Sequence, residues 1–516
     1  MLSRILGLVR DVLMAGAFGT SPAMNAFVLA FTVPNLFRRL FGEGALSSAF
    51  IPTFIKAREQ EGTDAAWKLA RKIITLTALV LSAFTLLGIA CARALEWLPW
   101  DGPDIPLTLN LLQIMLPYMI FICLAAITMG ILNSLHHFAV PAATPCILNI
   151  CVIVAIIWLA PVFGDTAVER IYGVAWGILI AGILQFAVQL PMLIKQGFTP
   201  GIDTTFKDPK VIKVITLMIP AALGAAVTQV NVLVDRLLAA SIGNHAAPAL
   251  FFSERLIYLP LGIFATAMGT VLLPVFSGQV AKDDHEEIPH TINHSVRILL
   301  FVMVPAAMGL LILARPIIEL LFQWKEFTAE STDFTTAALQ FYAPGLIVFS
   351  LAKVFIPVFY AHQDTKTPVK IGLCTVALNI LLNLLFVFTW PYEIKHAGLA
   401  CATVISETFQ VVVLALILQR RYGSPGWLKV FIAASRFLFA AVCMGFVVLY
   451  GQRYLANILT GSFGPSKASL AIALFSSILI GTISYVAIAG IFRFPELTEA
   501  YNAARRRKKT KAEVES

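Results

Sequence analysis

Long uncharged apolar runs, each framed by single charges, set the pattern of this chain. Ile73–Ala92 lies between Lys72 and Arg93, Ile298–Ala314 between Arg297 and Arg315, Phe437–Gln452 between Arg436 and Arg453, and Ala468–Phe492 between Lys467 and Arg493. At about 1.5 Å of rise per residue, such helices cross a hydrocarbon core of about 30 Å, the shorter ones drawing on flanking residues. Less uniform runs extend the prediction to about fourteen membrane helices by the same length criterion. Their centres fall near Val12, Ser47, Leu81, Ile120, Val152, Leu179, Ala226, Phe264, Ala306, Leu351, Leu378, Thr408, Val442 and Ser477.

The polar connections give these helices a direction. Connections after even-numbered helices hold Lys56, Arg58, Lys68, Arg71 and Lys72, then Lys195, Lys207, Lys210 and Lys213, then Lys366 and Lys370, then Arg420, Arg421 and Lys429. Connections after odd-numbered helices hold few, such as Arg93, Arg170, Lys325, Lys395 and Lys467. Basic residues collect on the cytoplasmic side of membrane proteins, which predicts cytoplasmic termini.

A faint internal repeat divides the pattern. Leu124-Ala125 and Pro141 match Leu351-Ala352 and Pro368 at one offset, Leu148-Asn149-Ile150 matches Leu378-Asn379-Ile380, and Pro52 and Phe54 echo Pro274 and Phe276. Six helices per copy is an even number, so the copies share orientation, related by an axis along the membrane normal. The expected fold is an all-α polytopic membrane protein: two six-helix lobes with a pseudo-two-fold along the normal, plus two C-terminal helices. The boundaries drawn are 1–200, 201–423, 424–495 for the extra helices, and 496–516 for a basic cytoplasmic tail.

Composition agrees. Of 516 residues, 59% are hydrophobic and 13% charged, against about a quarter charged in a soluble domain. The net charge of +9 sits largely in Arg505, Arg506, Arg507, Lys508, Lys509 and Lys511 and in short loops. That distribution points to anionic lipid headgroups rather than nucleic acid. Six of the cysteines, Cys123, Cys146, Cys151, Cys374, Cys401 and Cys443, lie in apolar stretches and read as small packing residues. Met1–Ala17 carries Arg4, Arg10 and Asp11, which a cleavable signal core does not accommodate, so the first helix is expected to persist.

Charges inside the helices carry the chemistry, because each costs roughly 3 kcal/mol at mid-membrane on insertion scales. They are Arg4, Arg10, Asp11, Arg38, Arg39, Glu43, Asp235, Arg236, Glu254, Arg255 and Glu407. Arg10, Arg38 and Arg255 offer planar donor forks suited to phosphate. Acids on the same helices are too few to neutralise a purely structural cluster. Arg4 and Asp11 share a helix face, with Arg10 about a third of a turn away. Pro34, Gly42 and Gly44 suggest an interrupted second helix. A second polar group comprises Asn231 and Asp235 on one face, Asn379 and Asn383 on another, and Thr403; its oxygens suit sodium or a proton. Inter-helix hydrogen bonding accounts for the same residues. No nucleotide-binding loop, metal-spaced Cys/His group or nucleophile motif is present, and no cofactor is expected.

Several stretches together resemble the MurJ (MviN) lipid II flippases. They are Ser3-Arg4-Ile5-Leu6-Gly7-Leu8-Val9-Arg10-Asp11, Pro34-Asn35-Leu36-Phe37-Arg38-Arg39-Leu40-Phe41, Glu43-Gly44-Ala45, Ala49-Phe50-Ile51-Pro52, Gly130-Ile131-Leu132-Asn133, Glu254-Arg255-Leu256, and Gln363-Asp364-Thr365-Lys366-Thr367-Pro368-Val369-Lys370. The resemblance covers essentially the whole chain. It implies a member of the multidrug/oligosaccharidyl-lipid/polysaccharide exporter superfamily, in the bacterial inner membrane, working by alternating access. It further implies lipid II as substrate, and membrane lipids and the cell-wall synthesis machinery as partners. Family cavity arginines fall on Arg4, Arg10, Arg38 and Arg255, with Asp11, Asn25, Arg39, Glu43 and Glu254 beside them. The family's sodium positions fall near Asp235, Asn379, Asn383, Leu399 and Thr403, so sodium, protons or the membrane potential are the expected energy sources. Asn25 stands where the family usually has Asp, Asn383 where some relatives have Asp, and Arg4 lies nearer the start than usual. The rival readings are a flippase for another polyprenyl-linked oligosaccharide, a multidrug cation antiporter, and a membrane scaffold with structural arginines.

Overall fold

Hydrocarbon offers backbone N–H and C=O groups no water, so a chain this apolar must satisfy them within each segment, as a helix does. The computed structural model describes residues 2–40, 46–98, 104–284, 286–464, 466–499 and 502, and among these the chain forms helices and no strand. The α-helices are α1 (Leu2–Phe18), α2 (Pro22–Phe37), α3 (Leu46–Glu61), α4 (Thr63–Glu96), α5 (Asp104–Met115), α6 (Tyr118–Ser134), α7 (Ala139–Val154), α8 (Ala160–Phe163), α9 (Ala167–Ala187), α10 (Leu190–Lys195) and α11 (Pro209–Ile242). They continue as α12 (Ala246–Pro260), α13 (Thr266–Ala281), α14 (Glu287–Ile312), α15 (Ala314–Leu321), α16 (Ala329–Tyr342), α17 (Gly345–Ala361), α18 (Lys366–Thr389), α19 (Lys395–Tyr422), α20 (Trp427–Phe463) and α21 (Lys467–Ile491).

Among the described residues, eleven helical segments are long and apolar enough to cross a membrane, or twelve if α16 and α17, bent by 44° at their junction, count as one. The sequence pattern predicts about fourteen. The difference lies at the start: α1 has 17 residues, and α2 and α3 have 16 each. Helix α2 proper ends at Phe37, and a wider turn follows over 38–40. Gly42, Gly44 and Glu43 lie outside the described residues, as does nearly all of the basic tail. Between α7 and α8 the ladder widens to a π-type turn over Ala155–Leu159. Pro161 has no N–H to give to the preceding turn, and a re-registered ladder absorbs the loss.

The chain divides into two units, Met1–Phe251 with Trp324–Ser331, and Phe252–Gln323 with Thr332–Ser516. In the first, Phe50, Phe54, Trp67 and Phe198 form a run of ring contacts with centroids 5.7, 5.6 and 5.5 Å apart. That run fastens the segment after α10 onto α3 and α4. Polar contacts continue the seam, with the Lys72 ammonium donating to Asp208 at 2.8 Å and Lys210 pairing with Glu61. Asp208 also caps α11, accepting from the Lys210 amide at 2.9 Å, with Pro209 at the first helical position where no N–H is needed. At the α1–α2 turn, Gly16 and Gly19 admit residues 324–326. A Cβ on Gly16 would stand 2.1 Å from the Trp324 ring, and one on Gly19 (φ +55°) 2.2 Å from the Glu326 carbonyl. Trp324 Nε1 donates to the Val12 carbonyl at 3.1 Å, and the Glu326 amide to that of Gly16 at 3.2 Å.

In the second unit, one face of α14 serves α20 and α21. Asn293 donates to the Pro425 carbonyl at 2.6 Å, Arg297 pairs with the buried Glu496, and the Phe301 carbonyl accepts from the Tyr485 hydroxyl at 2.9 Å. These residues recur every four positions and so share a stripe. Further along, Gly445 sits against Met308 and Ile312, and Gly481 of α21 against Val448. Small residues allow such close approach where apolar burial alone cannot drive association. All seven cysteines are free, and Cys91 and Cys374 lie on the surface rather than in packed interiors. For Cys374 this corrects the packing role expected above, because its side of α18 faces away from the neighbouring helices.

Candidate functional site

Helix α1 places a buried carboxylate beside a half-buried guanidinium. Asp11 is 4% exposed, and its Oδ1 accepts from Arg10 Nε at 3.0 Å and from Nη2 at 2.7 Å. Adjacent helical residues point about 100° apart, so the long arginine must fold along the helix to reach its neighbour. The third contact of Arg10 comes from α7, where Asn149 Oδ1 accepts from Nη1 at 3.0 Å. Asn149 in turn donates to the Ser3 carbonyl at 2.9 Å. Arg4, six residues before Arg10 on the same helix, is exposed.

Arg38 and Arg39 occupy the wider turn after α2, both half-buried, with Arg38 Nε donating to Asn35 Oδ1 at 2.9 Å. Asn25, in the first turn of α2, is buried and donates to Asn244 Oδ1 at 3.4 Å. Burial holds the neighbouring His245 imidazole below its ordinary value. Asn231 and Asp235 share the face expected of them, at 3.5 Å.

Arg255 and Glu254 belong to the second unit, half-buried on α12, and Glu254 Oε1 accepts from the Tyr342 hydroxyl at 3.2 Å. There, Asn379, Asn383, Leu399 and Thr403 do come together. Asn383 Nδ2 donates to Asn379 Oδ1 at 2.8 Å, and Asn379 Nδ2 approaches Thr403 Oγ1 and Ser406 Oγ at 3.4 Å each. Thr403 donates to the Leu399 carbonyl at 2.9 Å. These oxygens are the hard donors a sodium ion takes. Four of them, Asn379 Oδ1, Thr403 Oγ1, Ser406 Oγ and the Leu399 carbonyl, already accept hydrogen bonds within the cluster, so the donors Asn379, Asn383 and Thr403 must turn for all to face an ion. Among the described residues, no group of three or more His, Cys, Asp or Glu side chains is placed to hold a metal.

Ion pairs also fix the polar ends of helices. Burial would raise the Asp364 carboxyl, but the Thr367 hydroxyl and amide and the Arg421 guanidinium outweigh it and hold the group at about 2. The Arg421 contact is 2.7 Å long. Lys72 and the Lys210 amide likewise hold Asp208 below the usual carboxylate range.

Of the cavity residues expected from sequence, the structure gathers Arg10 with Asp11 and sets Arg38 on Asn35. Asn149 was not among them. Its only sequence signal is the Leu-Asn-Ile triplet of the internal repeat, which pairs it with Asn379.

Charged side chains drawn into long apolar helices define a class, the polytopic helical membrane protein built to handle polar cargo. The fold is shared with a multidrug resistance MATE family transporter of the MOP superfamily in an inward-facing conformation, at 14% identity and a TM-score of 0.68, over 83% of this chain and 95% of that one. Within the class the match narrows. The family model for the lipid II flippase MurJ matches residues 14–469. A probable lipid II flippase MurJ from Vibrio cholerae serotype O1 is 35% identical over 503 residues, covering 95% of this chain and 93% of the relative. The solved structure of a lipid II flippase MurJ in an inward closed conformation superposes with a TM-score of 0.77 at 27% identity, over 95% of this chain and 96% of that one. The chain belongs to the lipid II flippase MurJ family.

Proposed function

We propose that this protein is a flippase, a transporter rather than an enzyme, that moves lipid II from the inner to the outer leaflet of the bacterial cytoplasmic membrane. The observation that carries the reading is a guanidinium held half-buried on helix α1 beside the Asp11 carboxylate, in a chain of the MurJ family. Arg10, Arg38 and Arg255, with Arg4, bind the pyrophosphate and nearby anionic groups, and Asp11, Asn25, Arg39, Glu43 and Glu254 tune them. The polyprenyl tail stays in lipid beside the two extra helices at 424–495. Lobes at 1–200 and 201–423 alternate access around the headgroup, with both termini and the tail 496–516 in the cytoplasm. Binding must favour the occluded state, since equal affinity for all states shifts nothing. A sodium ion or proton at the Asp235 group or at the Asn379, Asn383, Leu399 and Thr403 cluster, or the membrane potential at about 2.3 kcal/mol per charge per 100 mV, resets the carrier.

The test is lipid II exposure on the outer leaflet, read with an impermeant probe. Cells depleted of their own flippase express this chain or its Arg255→Ala variant at matched membrane levels. Restoration by the parent and not by the variant is the expected result. If neither restores exposure although both are folded, another lipid-linked glycan is the cargo. Equal restoration removes Arg255 from the site.

A further inference from the structure

The contacts of Arg10 are asymmetric in charge. A guanidinium carries five N–H groups in one plane. Nε and Nη2 close on the carboxylate of Asp11, from the same helix, and Nη1 reaches the neutral amide of Asn149, 139 residues away on α7. Three donors are thus engaged by one negative charge and one dipole. Among the described residues, one N–H on each terminal nitrogen is left over.

The amide of Asn149 can present only its oxygen to Arg10. Its Nδ2 donates to the Ser3 carbonyl at 2.9 Å and lies 3.4 Å from that of Pro145. Arg10 has nothing but donors to offer. Both halves of the side chain are therefore committed, and the residue is 6% exposed, so its rotamer is set by packing and hydrogen bonds together. An acid at this position would aim the guanidinium equally well, but with Asp11 it would place two negative charges on one arginine. An amide fixes direction without adding a second negative charge to that of Asp11.

We propose that Asn149 is a positioning residue for anion binding: it holds the Arg10 guanidinium against α7 in its ligand-ready direction without neutralising it. The inference rests on the reading above that Arg10 contacts pyrophosphate. The internal repeat gives it context, since Asn379, the matching residue, organises a buried polar cluster in the second unit, whereas Asn149 organises a cation.

The test measures binding of undecaprenyl pyrophosphate and of lipid II to the purified full-length chain in nanodiscs, for the parent, Asn149→Ala, Arg10→Ala and the double variant. Losing a hydrogen bond that orients a charged group is expected to weaken undecaprenyl pyrophosphate about tenfold in Asn149→Ala. In the Arg10→Ala background the same change is expected to do nothing further. Should Asn149→Ala fail to fold, Asn149→Gln, which keeps the amide one methylene further out, takes its place in the cycle. Unchanged affinity in a folded Asn149 variant, or equal weakening with and without Arg10, overturns the proposal, because a merely structural residue acts in both backgrounds. A parent chain that binds undecaprenyl pyrophosphate but not lipid II sinks the substrate reading and leaves this inference standing. A parent that binds neither overturns both.

Discussion

Asp364 shows what a single carboxylate does at a helix start. Its oxygens take the Thr367 amide at 3.0 Å, the Thr367 hydroxyl at 2.7 Å and Arg421 at 2.7 Å. The folded chain holds its carboxyl at about 2, whereas an unfolded aspartate titrates near 4. The stabilisation is therefore complete above about pH 4 and disappears as pH falls toward 2. Melting temperatures across that window are expected to fall more steeply for the parent than for Asp364→Asn, whose cap does not titrate. At this scale the sequence was legible in part. Arg10 and Asp11 stand out as charges in an apolar run, but their pairing does not, because neighbours on a helix normally face different ways. Asn149 was legible only through the repeat, since an asparagine in a membrane helix announces no partner.

Helices were the most legible level, because uninterrupted apolar runs such as 73–92 and 298–314 leave a chain in lipid no alternative. Breaks were less legible. The pattern of single prolines does not say whether a helix bends, as between α16 and α17, or widens by one residue, as after α7. Close approach is likewise invisible in sequence until the partner is known. Gly16→Ala puts a Cβ 2.1 Å from the Trp324 ring, so the ring must leave and the Trp324–Val12 hydrogen bond is lost. Overpacking of this kind costs about 1–3 kcal/mol, to be read as a lower melting temperature. Trp324→Leu is expected to lower it too, but Gly16→Ala added to Trp324→Leu should cost much less than Gly16→Ala alone. In the other unit, Gly481→Val is expected to loosen α21 from α20 at Val448, with the same readout.

Across the molecule, the membrane class and the all-helical architecture follow from composition and run length alone. The grouping of residues 324–331 with the first unit does not, because an apolar pattern says which residues avoid water and not which helix they meet. Nor does the pattern show that one stripe of α14 holds Asn293, Arg297 and Phe301 against the last two helices. Cytoplasmic termini are a prediction at this scale. Single cysteines placed at residues 2 and 502 of a variant with its native cysteines replaced should react with an impermeant thiol reagent only after the inner membrane is opened.

The α14 stripe also closes a circuit. The chain enters the final hairpin at Pro425, tied to Asn293, and leaves it at Glu496, tied to Arg297 one turn further along, with Glu499 3.7 Å from His294. Helices α20 and α21 are therefore a loop knotted at its neck rather than a pendant tail, and the knot lies in the few residues after α21. A chain cut after Phe492 is expected to leave Arg297 facing a lost counter-charge and to release the hairpin in a separate, earlier melting step. One cut after Glu499 keeps the neck shut and should melt as the parent does.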